Sequence, residues 1–543
     1  MRNVFNSIRK PRVKYSNFDL THERIFSAGM GNLVPICCQE IVAGDTFKNN
    51  TELLIRFAPL LAPIMHRIDV YTHFFFVPNR LIWKEWEDFI TGGEDGNEDI
   101  LPPMYLWSSS TDNWQAFFAN GNLADYLGIP QPKFSHATNT VSISALPFRA
   151  YLKIYNDFYR DQNLEEEVHI NDQGGIWLPS QEGCESYSDL INLKHRAWTK
   201  DYFSSALPFA QRGEDVHVPL DIDIAFKPGS QRYVRESGQP FPVQTGDPNQ
   251  TVLKNIHTNS SGAVIAGLGK VSSSGTESET KAALDVSQTL RASEGSLTIR
   301  ALRRMFALQR FQENNATGGS RYIEQLLARF GVVSDDARLQ RAEYLGGGKQ
   351  PVVISDTPQT SSTITEGTDK SVLGQLAGQG ISAGKTHQFT KRFKEHGWLL
   401  GIMSVVPKPV YMQGLPRQFS RMTRYEYLTP EFAGIGEQEV KNKELFFTNA
   451  DDADGTFGYQ GRYNEYRYVP STVHGSFRGN LDFWHLARKF ANQPRLNSDF
   501  VHMDPNDFSR IFAVSSLTNE QMYVQLINHM TARRALPKYP YND

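Results

Sequence analysis

Two hydrophobic spacings share this chain, one of period two and one of period 3.6. From Ile68 onward, Val70, Thr72, Phe74 and Phe76 fall on one side of an extended run, and Asp69, Tyr71, His73, Phe75 and Val77 on the other. The polar alternation fades at Phe74 to Phe76, which predicts a strand whose end is covered on both faces, as in a sandwich flanked by insertions. Leu33 to Val42 is apolar and rich in strand formers. Ala43-Gly44-Asp45 then supplies a turn before a second extended run from Thr46. Val216 to Phe226 sets Val216, Val218, Leu220, Ile222 and Ile224 against His217, Asp221 and Asp223, which predicts a half-buried strand. Strand-like runs return over Arg338 to Ile354 and Phe389 to Met412.

Helical spacing appears after Pro78, with Ile82, Trp86, Phe89 and Ile90 on one stripe, Asn79 as N-cap and Thr91-Gly92-Gly93 as terminator. Further helices are predicted at Ala150 to Arg160, Leu297 to Phe311 and Ser320 to Phe330, the last ended by Gly331. Thr518-Asn519-Glu520-Gln521 forms a capping-box pattern, so Tyr523, Leu526, Ile527 and Met530 read as the stripe of a C-terminal helix. Strands thus occur early, in the middle and late, separated by long insertions and without βαβ alternation. That order is expected when antiparallel strands distant in sequence pair within one sandwich.

Two segments depart from either period. Residues 1 to 17 hold Arg2, Arg9, Lys10, Arg12 and Lys14 with no acidic residue before Asp19, a short basic arm. Residues 228 to 295 shift to Ser, Gly, Thr, Gln and Asn, yet Tyr233, Phe241, Val264, Ile265 and Leu268 give apolar content that fits an elaborated surface loop better than a featureless linker.

A length of 543 residues suggests about three domains, although a sandwich with large insertions can exceed that rule as one unit. With 40% hydrophobic and 12% aromatic residues, 41 Gly and 28 Pro, the composition fits a β-rich globular protein with long ordered loops. A net charge of -3 argues against coating nucleic acid over the whole surface, so any such contact is local. Cys37, Cys38 and Cys184 are too few for a disulfide framework, and the vicinal pair lies in an apolar run where buried reduced thiols are expected, as in a reducing cytoplasm. No signal-peptide pattern or membrane-spanning apolar run is present.

The catalytic and ligand-binding motifs fail on spacing. Gly378 to Thr386 (GQGISAGKT) resembles a phosphate-binding loop, but the required first glycine position is Gln379, and a strand-like run follows where a helix is needed. Asp451, Asp452 and Asp454 before Gly455 do not place oxygens at positions one, three and five as a calcium loop does, since Ala450 stands at the start and Ala453 before Asp454. The fourteen histidines form no zinc spacing, and no GxSxG elbow occurs. Arg300, Arg303, Arg304 and Arg310 make a basic helix face, the ordinary solvated arrangement. The arm is the better candidate for nucleic acid, because Lys and Arg neutralise phosphates without reading sequence while Phe5 and Tyr15 offer rings for unpaired bases.

Long motifs outweigh these short ones. FDLTHER (Phe18 to Arg24), MGNLVPI (Met30 to Ile36) and RFAPLLAPIMHRIDVYTHFFFVPNRLIW (Arg56 to Trp83) resemble the N-terminal part of the major capsid proteins of microviruses, most closely the gokushovirus branch. The resemblance returns in YQGRYNEYRY (Tyr459 to Tyr468), VHGSFR (Val473 to Arg478) and LDFWHLAR (Leu481 to Arg488). It implies a mainly β chain: a single eight-stranded antiparallel jelly roll with large helical and loop insertions, about sixty copies closing a T=1 icosahedral shell of pentamers around circular single-stranded DNA. On that frame, residues 1–30 are arm and entry segment, 31–80 the first strands and 81–210 an insertion. Residues 211–227 are then a jelly-roll strand, 228–296 a surface insertion, 297–345 a helical insertion and 346–543 the remaining strands with long loops and a C-terminal helix.

The resemblance also implies that the surface insertion clusters at the threefold axes and meets a host receptor, and that no cofactor or metal is needed. Five arm charges on about sixty copies give on the order of 300, far short of a genome of thousands of nucleotides, so a small basic packaging protein is expected as a partner beside a minor capsid or pilot protein. Tyr459 to Arg478 and the aromatic-rich insertion Leu81 to Ala210 are expected at subunit contacts. The expected location is the virion, assembled in the bacterial cytoplasm. Two other classes remain open on composition: a β-sandwich carbohydrate-active enzyme using paired carboxylates, and a soluble adhesin or tail component.

Overall fold

In a computed structural model the chain is described over residues 14–538, leaving out 94–98, 109–113, 134–139, 180, 318–320, 334, 359, 361–375, 387, 449–451 and 514–519. Between 214 and 298 only the strand segments given below are described. Two compact units result, Met1–Arg212 with Asn315–Asp543, and Gly213–Asn314.

The first unit is built on β1 (Ser16–Asp19), β2 (His22–Ala28), β3 (Val34–Ile41), β4 (Thr46–Phe57), β5 (Ile68–Pro78), β6 (Glu343–Pro351), β7 (Val353–Pro358), β8 (Leu376–Lys385), β9 (Phe389–Arg392), β10 (Gly397–Pro407) and β11 (Met522–Arg534). In the larger sheet β1 and β2 lie end to end along β11, β11 pairs with β4, β8 and β9 share the far side of β4, and β7 flanks β8. The smaller sheet runs β6-β5-β10-β3. Every pairing is antiparallel, and β6 and β7 are halves of one extended run that passes from the smaller sheet to the larger at Val352. The fold is mainly β and of jelly-roll type.

The two faces of β5 explain its fading alternation. Phe74 and Phe76 meet Phe389 and Phe393 of the opposite sheet, at 5.4 and 4.6 Å between ring centroids. Phe75 points the other way, onto Phe158 at 4.8 Å. Phe158 belongs to an insertion helix, Leu146–Ile154, that continues as a π turn over Tyr155–Tyr159; the helix expected from Ala150 starts earlier because Pro147 occupies its first turn. Of the stripe expected after Pro78, Trp86–Thr91 is helical and closes at Gly92 with φ 82°. Asn79 is buried at the head of a separate 3-10 turn, Asn79–Leu81, and caps nothing.

The expected C-terminal helix is instead β11, a central strand. Met522, Val524, Leu526, Asn528, Met530 and Ala532 alternate inward, with Tyr523, Gln525, His529, Thr531 and Arg533 outward. Leu526 and Met530 satisfy both periods, but Tyr523 is half-exposed, and pairing with β4 on one side and with β1 and β2 on the other gives the backbone sheet partners in place of the bonds a helix would have made within itself. Thr518 and Asn519 lie outside the described residues. Gly378 to Lys385 is also strand, with Lys385 Nζ 2.6 Å from Glu52 Oε1, so no phosphate loop exists there. Asp452 accepts from Asn442 and Asp454 pairs with Lys443, while Asp451 lies outside the described residues. Among the described residues no cluster could hold a metal, and no helix is long and apolar enough to cross a membrane. The three cysteines are free, and burial pushes the Cys37 and Cys38 thiols up to about 12.

A smaller core of Tyr202, Phe203, Tyr411, Leu445, Phe457 and Phe500 underlies the loops between β10 and β11. The helix Tyr322–Phe330 ends at Gly331 with φ 66°, as its sequence predicts.

In the second unit, Tyr233–Arg235, Thr280–Leu284, Val264–Gly269 and Val252–Thr258 form an antiparallel sheet in that order. Ile224–Phe226, the described end of the alternating run Val216 to Phe226, pairs with Leu290–Ala292 and with neither jelly-roll sheet. Over Ile224–Phe226 this departs from the jelly-roll strand expected at 211–227, of which 214–223 lie outside the described residues: alternation identifies a strand but carries no information about its partner. The helix expected from Leu297 is described as Ile299–Thr317.

Candidate nucleic-acid interface and subunit surfaces

The basic arm enters the larger sheet at its end. Of its cations only Lys14 is described, exposed; Arg2, Arg9, Lys10 and Arg12, with Phe5, lie outside the described residues. Ser16 stands opposite Arg534 and Asn17 opposite Arg533 on β11. The Arg533 guanidinium lies 5.2 Å from the Tyr15 ring centroid, within cation–π range. Arg534 anchors the same corner: its Nε is 3.0 Å from the buried Asp45 Oδ2, its Nη2 donates to the Glu40 carbonyl at 2.8 Å, and its plane lies over Phe47.

The pleat then assembles charges that sequence order scatters. Asn17, Arg533, Thr46 and Arg392 form one line across four adjacent strands, and Asp19, Thr531, Lys48 and Thr390 form the next, with strands about 4.8 Å apart. Because Phe47, Phe389 and Ala532 face the core, Lys48, Arg392 and Arg533 all face solvent. Lys14, Lys394 and Lys538 are exposed just beyond the strand ends. Among the described residues none of these six is paired with a carboxylate, whereas Lys385, Lys391 and Arg534 are. Such a surface attracts a polyanion without reading its sequence. Only the arm was legible; Lys48, Arg392 and Arg533 needed the register.

In the second unit Val264, Ile265 and Leu268 share one strand, opposite Thr258, His257 and Leu253, while Tyr233 sits opposite Leu284 two strands away. Phe241 lies outside the described residues.

A second surface lies on the loops between β10 and β11. Three 3-10 turns, Arg417–Phe419, Arg424–Glu426 and Pro430–Phe432, carry apolar tips. Met422 is 90% exposed, Val469 85% and Phe419 70%. Polar groups below hold these loops in place. Arg417 Nη1 is 3.1 Å from Glu444 Oε1, Gln438 donates to Glu465 at 2.6 Å, and Arg421 lies over the Tyr466 ring at 4.4 Å. Burial pushes the Glu444 carboxyl up despite Arg417 beside it. Rigidly held loops with exposed apolar tips mark contact surfaces. Within Tyr459 to Arg478, Tyr466 and Val469 are exposed, while Gln460 and Tyr463 are buried. Residues 417–435 were missed in the sequence because loops have no period to betray them; an aromatic and Met-rich stretch between polar residues was the available signal.

The chain is matched over residues 6–542 by the family described as Capsid protein (F protein). It is 35% identical to the Capsid protein VP1 of Chlamydia phage 1, over 92% of this chain and 91% of that one. It is 38% identical to the Capsid protein VP1 of Bdellovibrio phage phiMH2K, over 87% and 84% of the two chains. Against the Capsid protein VP1 of Spiroplasma virus 4 the identity is 29%, over 98% and 96%.

Proposed function

Because this chain belongs to the Capsid protein (F protein) family and is therefore a structural protein rather than an enzyme, we propose that it closes with its own copies into a T=1 icosahedral shell, about 60 subunits, around circular single-stranded DNA. The observation that carries this reading is the near end-to-end match to capsid chains of similar length. Closed symmetry repeats each interface many times, so modest burial at about 25 cal/mol per Å² accumulates even though association costs cancel much of each contact. The tips at Phe419, Met422 and Val469 supply apolar area for such contacts. The arm and the basic end of the larger sheet supply phosphate neutralisation, supplemented by a small basic packaging protein, with a minor capsid or pilot protein as a further partner.

The expected surface insertion, 228–296, lies within the second unit, Gly213–Asn314, and we assign it to host attachment, with Tyr233, Phe241, Val264, Ile265 and Leu268 as its apolar content. Assembly takes place in the host cytoplasm and the product is the virion. Negative-stain electron microscopy of the protein, expressed alone and beside its neighbouring phage proteins, tests the shell; nuclease protection in the same fraction tests the DNA. Uniform closed particles with protected single strands are expected, and only monomers or small oligomers in both conditions would overturn the reading. Deleting 240–290 should leave particles intact and abolish adsorption to the host. Unchanged adsorption would remove the attachment role.

A further inference from the structure

The face of β5 that turns away from the sandwich carries an aromatic stripe, Tyr71, His73 and Phe75, with neighbouring centroids 6.2 Å apart. On β6 the stripe faces Tyr344, opposite Phe75, and a glycine run, with Gly347 opposite His73. A Cβ on Gly347 would collide with the Thr72 carbonyl oxygen and come within 2.7 Å of His73 Cδ2 and 2.8 Å of the Tyr344 hydroxyl, so only glycine lets these rings close over the strand here. The π turn packs Phe158 onto Phe75 and holds the Tyr159 hydroxyl 2.8 Å from His73 Nδ1. Beside these rings, and partly lined by them, lies a cleft of about 630 Å³, a volume suited to a small ligand.

Its charge is as distinctive as its rings. Arg160, Arg196, Lys200 and Arg321 line it against only two carboxylates, Asp161 and Glu324. Asp161 is taken by Lys200, and Glu324 accepts from the Arg321 backbone amide at 3.1 Å. Arg196 has no carboxylate partner among the described residues; its Nη1 donates to Ser404 Oγ at 2.7 Å and its plane lies 4.3 Å from the Tyr71 centroid. Burial lowers its pKa, the mark of a cation drawn from water without a counter-ion. Arg160 Nε is buried with no acceptor. His73 adds no charge near neutrality, since burial and then Arg196 push its imidazole down to about 4. Tyr344 remains 48% exposed at the rim.

We propose that this cleft binds one nucleotide unit of single-stranded nucleic acid, its base against the exposed ring of Tyr344 and its phosphate toward Arg196 and Arg160. A stacking surface joined to a cation lacking a counter-ion is the pairing by which proteins hold unpaired strands, and a duplex cannot present a base to it. The inference rests on the reading that the shell encloses single-stranded DNA, and it names where one base is held.

The test is fluorescence anisotropy of the full-length protein with a labelled oligothymidylate of about eight nucleotides, a length within ordinary single-strand site sizes. Thymidine monophosphate, inorganic phosphate and a duplex of equal length serve as competitors. Arg196→Gln and Tyr344→Leu should each weaken binding about tenfold, a loss on the scale of one stacked base. Thymidine monophosphate should compete and the duplex should not. Tyr344 is exposed, so its variant reads the cleft even if the Arg196 variant fails to fold. Wild-type affinity in the Tyr344 variant, or equal competition by the duplex, would overturn the assignment. DNA-filled particles with unaltered oligonucleotide affinity in the variants would sink the cleft and leave enclosure standing. Cleft-dependent binding with empty particles would do the reverse.

Discussion

Arg149 and Glu185 form an ion pair at 2.9 Å with both side chains completely removed from solvent. Arg149 also donates to the carbonyls of Ile82 and Gln173, and Glu185 accepts from the Tyr105 hydroxyl at 2.7 Å and the Asn171 amide at 3.0 Å. One pair thereby ties the helix Leu146–Ile154 to four separate segments of the insertion. Removing one partner strands the other as an uncompensated buried charge, which typically costs about 3–5 kcal/mol. Glu185→Leu and Arg149→Leu should each lower the unfolding midpoint strongly, and the double variant should be less damaged than the sum. Thermal denaturation of all three checks this; strict additivity would show that the pair is not coupled.

Asn528 makes a comparable tie between the sheets. It is fully buried at an inward position of β11, accepts from Thr51 Oγ1 at 2.7 Å within the larger sheet, and donates to the Ile36 carbonyl of the smaller at 3.2 Å. Asn528→Leu leaves Thr51 and the carbonyl unsatisfied and should destabilise by about 1–3 kcal/mol. Denaturant unfolding measures it, and a neutral result would mean that water replaces the amide.

Acid should weaken the fold through His66. Burial is the main cause that lowers its pKa from 6.5 to about 4, while the bond to the Lys408 carbonyl at 2.8 Å opposes it. The folded pKa lies below the unfolded one, so this contribution is complete above about 6.5 and is lost as pH falls from there toward 4. His73 adds in the same direction. His66→Gln should flatten the decline of the unfolding midpoint across that window; an unchanged slope would assign the loss to other groups.

The thiols should be silent in the native protein. Cys37, Cys38 and Cys184 are all pushed up to about 12 with desolvation as the first cause, so almost no thiolate exists at pH 8. A chromogenic disulfide reagent should find three thiols after denaturation and none within minutes before it. Rapid labelling of the folded protein would contradict the burial of the Cys37–Cys38 pair.

Contacts between copies should fail at the loop tips without loss of fold. Met422→Asp and Val469→Asp place a charge where 90% and 85% of the side chain is already in water, so the unfolding midpoint should shift by less than about 0.5 kcal/mol equivalent. Particle yield in sedimentation should fall sharply. Normal yield would move the subunit contacts elsewhere.

The chain's own pattern determined the strand class, the two-faced burial of β5, the helix end at Gly331 and the failure of every catalytic motif, because each depends on neighbours in sequence and on a fixed period. It also carried long motifs that resemble a capsid family. What it could not decide was partnership. Met522 to Arg534 satisfies a helical stripe at Leu526 and Met530 and a strand alternation throughout, and only pairing with β4 from the far end of the chain selects the strand. Ile224–Phe226 was visible as a strand, but its partner Leu290–Ala292 was not. Likewise Lys48, Arg392 and Arg533 are unremarkable in sequence and become one basic surface through register, while Arg196 gains its meaning from the aromatic rings around it. Hydrogen-bond pairing and burial are long-range, and a local pattern specifies what a segment offers but not which distant segment accepts it.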